Sequence, residues 1–200
     1  MNQLVLFKTI CVLLTCGFVF FGMDVRRKHG SRDFVPLVWQ LVMKFCSFLL
    51  IGAFVWTVIL TYEVSMLDWF SLLLMASGTM FVTMAKRTLG RAHTFTGQYL
   101  EKPGLVTQGI YSVTRNPLYF GVFLSEVGAS LFAIHAIPIL YPLSYQYWLV
   151  ILASALLYAV VFNVRMAIRE ANYLESYFGD DYRQYRASVP FLIPMIRIGK

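Results

Sequence analysis

The chain contains five apolar runs, each about as long as a helix that crosses a bilayer. They extend approximately from Gln3 to Met23, Leu37 to Tyr62, Leu67 to Ala85, Leu118 to Leu140 and Tyr147 to Val164. A bilayer core of about 30 Å is spanned by about 20 helical residues. The sequence therefore predicts an all-α integral membrane protein with about five transmembrane helices.

The composition supports this class. Hydrophobic residues make up 58% of the chain and charged residues 14%, whereas soluble domains average about 45–50% apolar and about 25% charged residues. This excess disfavours a water-soluble enzyme and excludes a disordered chain or a coiled coil. Cys11, Cys16 and Cys46 all lie in apolar runs without a CxxC pair, so neither a disulfide framework nor a metal site is expected.

Basic residues alternate between successive connections. The first connection has four of them, the second none, the third five and the fourth none, and the carboxyl-terminal segment has six. Basic loops remain in the cytoplasm, which predicts an outer amino terminus and a cytoplasmic carboxyl terminus. We expect the first run to be a retained helix, since the bulky residues at its end offer no signal-peptide cleavage site. Topology accounts for the net charge of +7 without nucleic acid.

Two cytoplasmic segments differ from the short outer connections. The connection 86–116 is long and rich in glycine and aromatic residues. Loops of this length are usually functional or disordered. After the fifth run the chain is expected to continue as an amphipathic helix to about Phe178. At about 100° per residue, Glu170 falls on the apolar face of this helix, where a carboxylate requires a partner or a ligand. We therefore divide the chain into a three-helix transmembrane region, 1–85, and a region 86–200 that contains both cytoplasmic segments and is the candidate for function.

The stretch from Leu105 to Tyr119 reads LVTQGIYSVTRNPLY and is followed, after one predicted hairpin, by Glu170 and then by FGDDYRQY from Phe178. This order resembles the signature of the isoprenylcysteine carboxyl methyltransferase and phospholipid methyltransferase superfamily. The resemblance covers about Leu89 to Pro194, roughly half of the chain. It implies an integral-membrane enzyme that uses S-adenosylmethionine at the cytoplasmic face and methylates a lipid-borne or small hydrophobic acceptor.

Carried over residue by residue, the resemblance implies two overlapping sets of site residues. The cofactor would be bound by Gly109, Tyr111, Asn116, Pro117, Tyr119 and Glu170. The catalytic residues would be Arg115, Asn116, Arg169 and Glu170. Arg115 and Tyr119 are also compatible with interfacial anchoring, and we expect Tyr182 and Tyr185 to pack the tail rather than contact substrate.

Two positions depart from the superfamily pattern. Asn116 stands where histidine is commoner, and Ala171 replaces the second residue of a Glu-Glu pair. Asparagine forms hydrogen bonds but does not carry a proton near neutral pH. An amine or thiol acceptor would need a base, for which His93 is the candidate, whereas a carboxylate acceptor needs none. Glu126, eight to nine residues into the fourth run, either borders the acceptor pocket or pairs with Lys44.

Two alternatives to methyl transfer remain open from the sequence. A membrane reductase of the sterol reductase type would use NADPH and has a similar carboxyl-terminal half, whereas a non-catalytic binding protein would fit the changes at Asn116 and Ala171. The short chain and the Asn-Pro variant favour a bacterial inner membrane. The expected partners are membrane lipids or a lipid-borne substrate, with no metal.

Overall fold

The computed structural model describes residues 2–22, 30–61, 63–90, 94 and 97–194. Within these ranges the chain forms six α-helices and one two-stranded antiparallel ribbon. In chain order the elements are α1 (Gln3–Gly22), β1 (Ser31–Asp33), α2 (Leu37–Leu60), α3 (Met66–Leu89), β2 (Gln98–Leu100), α4 (Pro117–Leu140), α5 (Tyr145–Phe178) and α6 (Asp180–Ser188). The ribbon is the exception to an otherwise helical fold.

Five helices, α1 to α5, are long and apolar enough to cross a membrane, which confirms the predicted class. Helix α5 has 34 residues, and at 1.5 Å per residue it is about 51 Å long. Since a bilayer core is about 30 Å thick, one end of α5 extends well beyond it. The fifth span and the predicted amphipathic helix are thus one continuous helix, which ends at Gly179 with a φ of 57°.

Helices α3 and α4 pack with their backbones in contact because glycines lie at the crossing. A Cβ atom placed on Gly121 would come within 2.7 Å of the carbonyl oxygen of Gly78, and one on Gly78 within 2.5 Å of the carbonyl oxygen of Gly121. About two turns farther along α4, a Cβ on Gly128 would lie 2.6 Å from the carbonyl oxygen of Ser71. Small residues allow this approach in membrane bundles, where close van der Waals contact drives helix association.

The ribbon joins two distant connections of the chain. Residues 31–33, from the connection after α1, pair antiparallel with residues 98–100, from the connection after α3. These two basic connections therefore lie at the same end of the bundle, as the alternation of charge requires. The side of the membrane on which this end lies stays a prediction.

The opposite end of the bundle holds a different polar group. The Ser65 hydroxyl accepts a hydrogen bond from the Asp68 backbone N–H at the start of α3, and an Asp68 carboxylate oxygen accepts one from the Ser65 N–H. The second Asp68 oxygen lies 2.9 Å from Nδ1 of His135. The Lys8 ammonium donates to the carbonyl oxygen of Ile59, near the end of α2. These hydrogen bonds satisfy polar groups at the end of the bundle that is remote from the ribbon and connect neighbouring helices there.

Candidate functional site

A cavity opens at the ribbon end of the bundle, between the end of α3, the connection 101–116, the start of α4, the last turns of α5 and helix α6. The centres of water molecules can occupy about 80 Å³ of it, whereas one buried water needs about 10–15 Å³ by the same measure. The cavity is therefore larger than a packing defect and has room for several water molecules or for part of a ligand. It lies between the two segments that were predicted to be cytoplasmic, the connection 86–116 and the end of the helix that contains Glu170.

Glu170 is the acidic group of this cavity. Its Oε2 accepts a hydrogen bond of 3.1 Å from the hydroxyl of Tyr119, which is 8% exposed. Tyr119 lies in the first turn of α4 and Glu170 near the end of α5, so the bond joins the two antiparallel helices. Among the described residues, the carboxylate has no cationic partner. A salt bridge to a basic residue would give Glu170 a purely structural role, and none is formed within the described part of the chain.

Arg115 is the one basic side chain among the described residues that line the cavity. Its Nε donates to the carbonyl oxygen of Val189 at 3.1 Å, and its Nη1 lies 3.5 Å from the hydroxyl of Tyr182. The guanidinium carbon is 5.3 Å from the centroid of the Phe191 ring, within range of a cation–π interaction. Arg115 is thus held by neutral partners, and its charge is not neutralised by a carboxylate of the described residues.

Tyrosine side chains form much of the cavity wall. Tyr111, Tyr182 and Tyr185 are buried and belong to segments that flank the spans, and the Tyr185 hydroxyl donates to the carbonyl oxygen of Tyr111 at 2.7 Å. Burial raises the pKa of Tyr111 well above its ordinary value, and the nearby Glu170 charge adds to this. Burial also raises the pKa of Tyr182. The phenols therefore stay neutral and present hydrogen-bonding groups and aromatic rings to a ligand.

Asn116 begins α4 and lines the cavity. It is 7% exposed, and its side-chain Nδ2 donates to the carbonyl oxygen of Phe191 at 2.7 Å. The amide therefore holds the tail of the chain, a task that needs no proton transfer. Pro117 occupies the first helical turn of α4, where its missing N–H costs nothing.

Five of the predicted site residues line the cavity and three do not. The lining residues are Tyr111, Arg115, Asn116, Tyr119 and Glu170. Gly109, with a φ of 59°, instead brings the backbone close to α3, because a Cβ there would lie 3.2 Å from Oγ1 of Thr88. Pro117 is buried at the helix start. Arg169 is exposed, and its Nη1 donates to the carbonyl oxygen of Phe34 at 2.6 Å, so it fixes the segment after β1 on α5.

Of the two residues predicted to act on the substrate, Glu126 and His93, the structure describes only Glu126. Glu126 is 1% exposed and accepts a hydrogen bond from the hydroxyl of Ser47 on α2. It is not among the described residues that line the cavity. His93 lies outside the described residues. No group of three His, Cys, Asp or Glu side chains that would hold a metal ion occurs in the described ranges.

Tyr99 and Tyr173 are two site residues that were not predicted from the sequence. Both line the cavity, and their ring centroids are 4.6 Å apart. The Tyr173 hydroxyl donates to the carbonyl oxygen of Leu100 at 2.8 Å, so the ribbon is held against α5 at the cavity edge. The spacing of Tyr173, three residues after Glu170 on one helix, was the available signal. For Tyr99 only the aromatic content of its connection pointed to an ordered role.

Comparison with known proteins agrees with this arrangement. The sequence model of the family described as phospholipid methyltransferase matches residues 66–181. A protein-S-isoprenylcysteine O-methyltransferase of Schizosaccharomyces pombe is 38% identical over 96 residues, which are 46% of this chain and 34% of the yeast protein. Protein-S-isoprenylcysteine O-methyltransferase A of Arabidopsis thaliana is 28% identical over 132 residues, 64% of this chain and 59% of the plant protein.

The chain thus spans about a third of the length of the yeast relative and less than two thirds of that of the plant relative. The family match begins at the start of α3 and ends within α6, and it contains the described residues that line the cavity except Tyr182 and Tyr185. The resemblance stated from the sequence is confirmed. Since the match covers more than half of the chain, the protein belongs to the phospholipid methyltransferase family.

Proposed function

We propose that this protein is a methyltransferase that uses S-adenosylmethionine and methylates a lipid-borne or small hydrophobic acceptor at the cytoplasmic membrane face. The observation that carries the proposal is the Glu170 carboxylate, which lies in an aromatic cavity without a cationic partner among the described residues. A carboxylate removed from water needs a positive charge or strong donors nearby. A cationic ligand would satisfy this requirement.

The lining residues fit S-adenosylmethionine, which would supply an electrophilic methyl group on a positively charged sulfur. Glu170 offers the opposite charge, and the neutral rings of Tyr111, Tyr119 and Tyr182 offer aromatic surface that also attracts cations. Arg115 suits a carboxylate group. Together these side chains provide one anion and one cation in a single cavity, which matches a ligand that carries both charges.

The acceptor is proposed to approach from the bilayer. Tyr119 belongs to a buried apolar cluster with Met43, Phe162 and Met166, so the floor of the cavity continues into the spanning helices. The relatives named protein-S-isoprenylcysteine O-methyltransferase favour an isoprenylcysteine carboxylate. Such an acceptor is already ionised near neutral pH, and positioning and exclusion of water then suffice. A phospholipid amine or a thiol would need a base in addition.

In this proposal residues 86–200 form the catalytic region and residues 1–85 the membrane scaffold. The amino-terminal part contributes strand β1, which pairs with β2 at the cavity edge. The basic connections at this end favour the cytoplasmic face as the position of the site, and the amino terminus would then lie outside and the carboxyl terminus inside. In a bacterial cell the corresponding membrane is the inner membrane.

Calorimetric titration of the detergent-solubilised protein tests the proposal. We expect binding of S-adenosylhomocysteine and none of NADPH, whereas binding of NADPH alone would favour a reductase. Binding of neither ligand would favour a non-catalytic protein and refute the proposal. A labelled methyl donor, offered with a farnesylated cysteine analogue or with phospholipid vesicles, then separates the acceptors. The proposal expects label in the farnesylated analogue.

A further inference from the structure

The carboxyl-terminal segment 189–192 is tied to the start of α4 through four successive carbonyl groups. The backbone N–H of Arg115 donates to Pro190 at 2.9 Å, and its Nε to Val189 at 3.1 Å. The side-chain amide of Asn116 donates to the carbonyl oxygen of Phe191 at 2.7 Å, and the Thr114 hydroxyl donates to that of Leu192 at 2.8 Å. We call these four hydrogen bonds the tail latch.

The tail latch determines where one wall of the cavity lies. Helix α6 ends at Ser188, directly before the segment 189–192, and carries Tyr182 and Tyr185. Beyond the latch, α6 is held by the bond from Tyr185 to the carbonyl oxygen of Tyr111 and by the packing of its two buried tyrosines against the last turns of α5. Ion pairs of Arg183 and Arg186 with Glu175 add to these contacts. Exposed ion pairs contribute little to stability. The latch is therefore the largest group of hydrogen bonds that attaches α6 and the segment after it to the start of α4.

Thr114 is the buried centre of the latch. It is 0% exposed, and its hydroxyl has two roles, because it donates to Leu192 and also accepts from the N–H of Asn116 at 3.3 Å. The neighbouring residues Arg115 and Asn116 line the cavity, whereas Thr114 is not among the described lining residues. A change at Thr114 therefore weakens the latch without removing a group from the cavity wall.

We propose that Thr114 is a positioning residue that holds the segment 189–192 closed, and that release of the tail latch swings α6 away and opens the cavity to its ligand. Only the nature of the ligand rests on the proposed function. Ligand entry and exit then both pass through the open form. Weakening the latch raises the population of the open form by the same factor with and without ligand. The association and dissociation rate constants of the ligand therefore rise together, and their ratio, the dissociation constant, changes little.

The first arm of the test needs no ligand. Thr114→Val keeps the shape of the side chain but removes its hydroxyl, which leaves a buried carbonyl and a buried N–H without a partner. We expect hydrogen exchange at the backbone N–H groups of Arg115 and Asn116 to become about tenfold faster. This factor corresponds to a decrease of about 1.4 kcal/mol in the free energy of opening. Thr114→Ser restores slow exchange. Thr9→Val, which removes an exposed hydroxyl that donates to Val5 within α1, leaves exchange at both amides unchanged.

The second arm measures the rate constants for S-adenosylhomocysteine by stopped-flow fluorescence. In Thr114→Val we expect association and dissociation each to be about tenfold faster, with the dissociation constant within about twofold of that of the wild type. A merely structural role would instead lower the affinity or the bound fraction without faster association. Unchanged exchange in Thr114→Val, or faster exchange with unchanged ligand rate constants, would overturn the proposal. If the wild type does not bind the ligand, the proposed function fails, and the exchange result decides the latch alone.

Discussion

The contact between α3 and α4 leads to a quantitative prediction for Gly121→Ala. The added Cβ would lie 2.7 Å from the carbonyl oxygen of Gly78, 2.8 Å from the Val82 nitrogen and 2.9 Å from Cβ of Phe81. Two of these atoms are backbone, so the helices must separate. Overpacking of this kind costs about 1–3 kcal/mol, which exceeds the about 0.5–1 kcal/mol that alanine gains over glycine in a helix. We expect Gly121→Ala to lower the melting temperature in detergent by several degrees, given about 2–4 °C per kcal/mol for chains of this size.

Gly52→Ala is the matched control for this experiment. Gly52 lies within α2, is exposed and has nothing within 4 Å of the Cβ position. The same substitution should therefore leave the melting temperature unchanged or raise it slightly. Both variants are measured by circular dichroism in the same detergent. Equal melting temperatures for Gly121→Ala and Gly52→Ala would refute the close backbone packing of α3 against α4, and with it the position of the cavity between their ends.

Two further substitutions distinguish the two ends of the bundle. Tyr119→Phe removes the donor to the Glu170 carboxylate and should weaken S-adenosylhomocysteine binding in calorimetry by about tenfold or more, because a hydrogen bond to a charged group contributes about 1.5–3 kcal/mol. Unchanged affinity would contradict the role of this bond. Ser65→Ala removes the cap of α3 at the remote end and should lower stability by about 0.5–2 kcal/mol while leaving ligand affinity as in the wild type. A change of affinity in Ser65→Ala would show that the two ends are coupled.

The sequence predicted the spans because the physics of a bilayer acts along the chain. Each span needs about 20 apolar residues, and this requirement is visible without any tertiary information. The alternation of basic residues put the connection 86–116 and the end of α5 on one side of the membrane, and the family resemblance implied a cofactor between them. Glu170 was identifiable because helical periodicity placed its carboxylate on an apolar face, which is a local property of the sequence.

The contacts that close the cavity depend on tertiary structure and could not be predicted. Pairing of residues 31–33 with residues 98–100 joins segments separated by two spans, and three-residue strands carry no periodic signal. Likewise, nothing in the sequence indicates that Asn116 bonds to the carbonyl oxygen of Phe191. Arg169 adjoins Glu170 in the chain, yet one residue of a helix turns the side chain by about 100°, and it reaches Phe34 instead of the cavity.

Binding of S-adenosylmethionine to Glu170→Gln is the most direct test of the central claim, that an acidic side chain in this cavity holds a cationic methyl donor. Glutamine keeps the size of the side chain and an oxygen that accepts from Tyr119, but it carries no charge. Glu63→Gln, a matched change at an exposed site before α3, serves as the control. We expect the dissociation constant to rise at least tenfold in Glu170→Gln, about 1.4 kcal/mol, and to stay unchanged in Glu63→Gln. Wild-type affinity in Glu170→Gln would contradict the account.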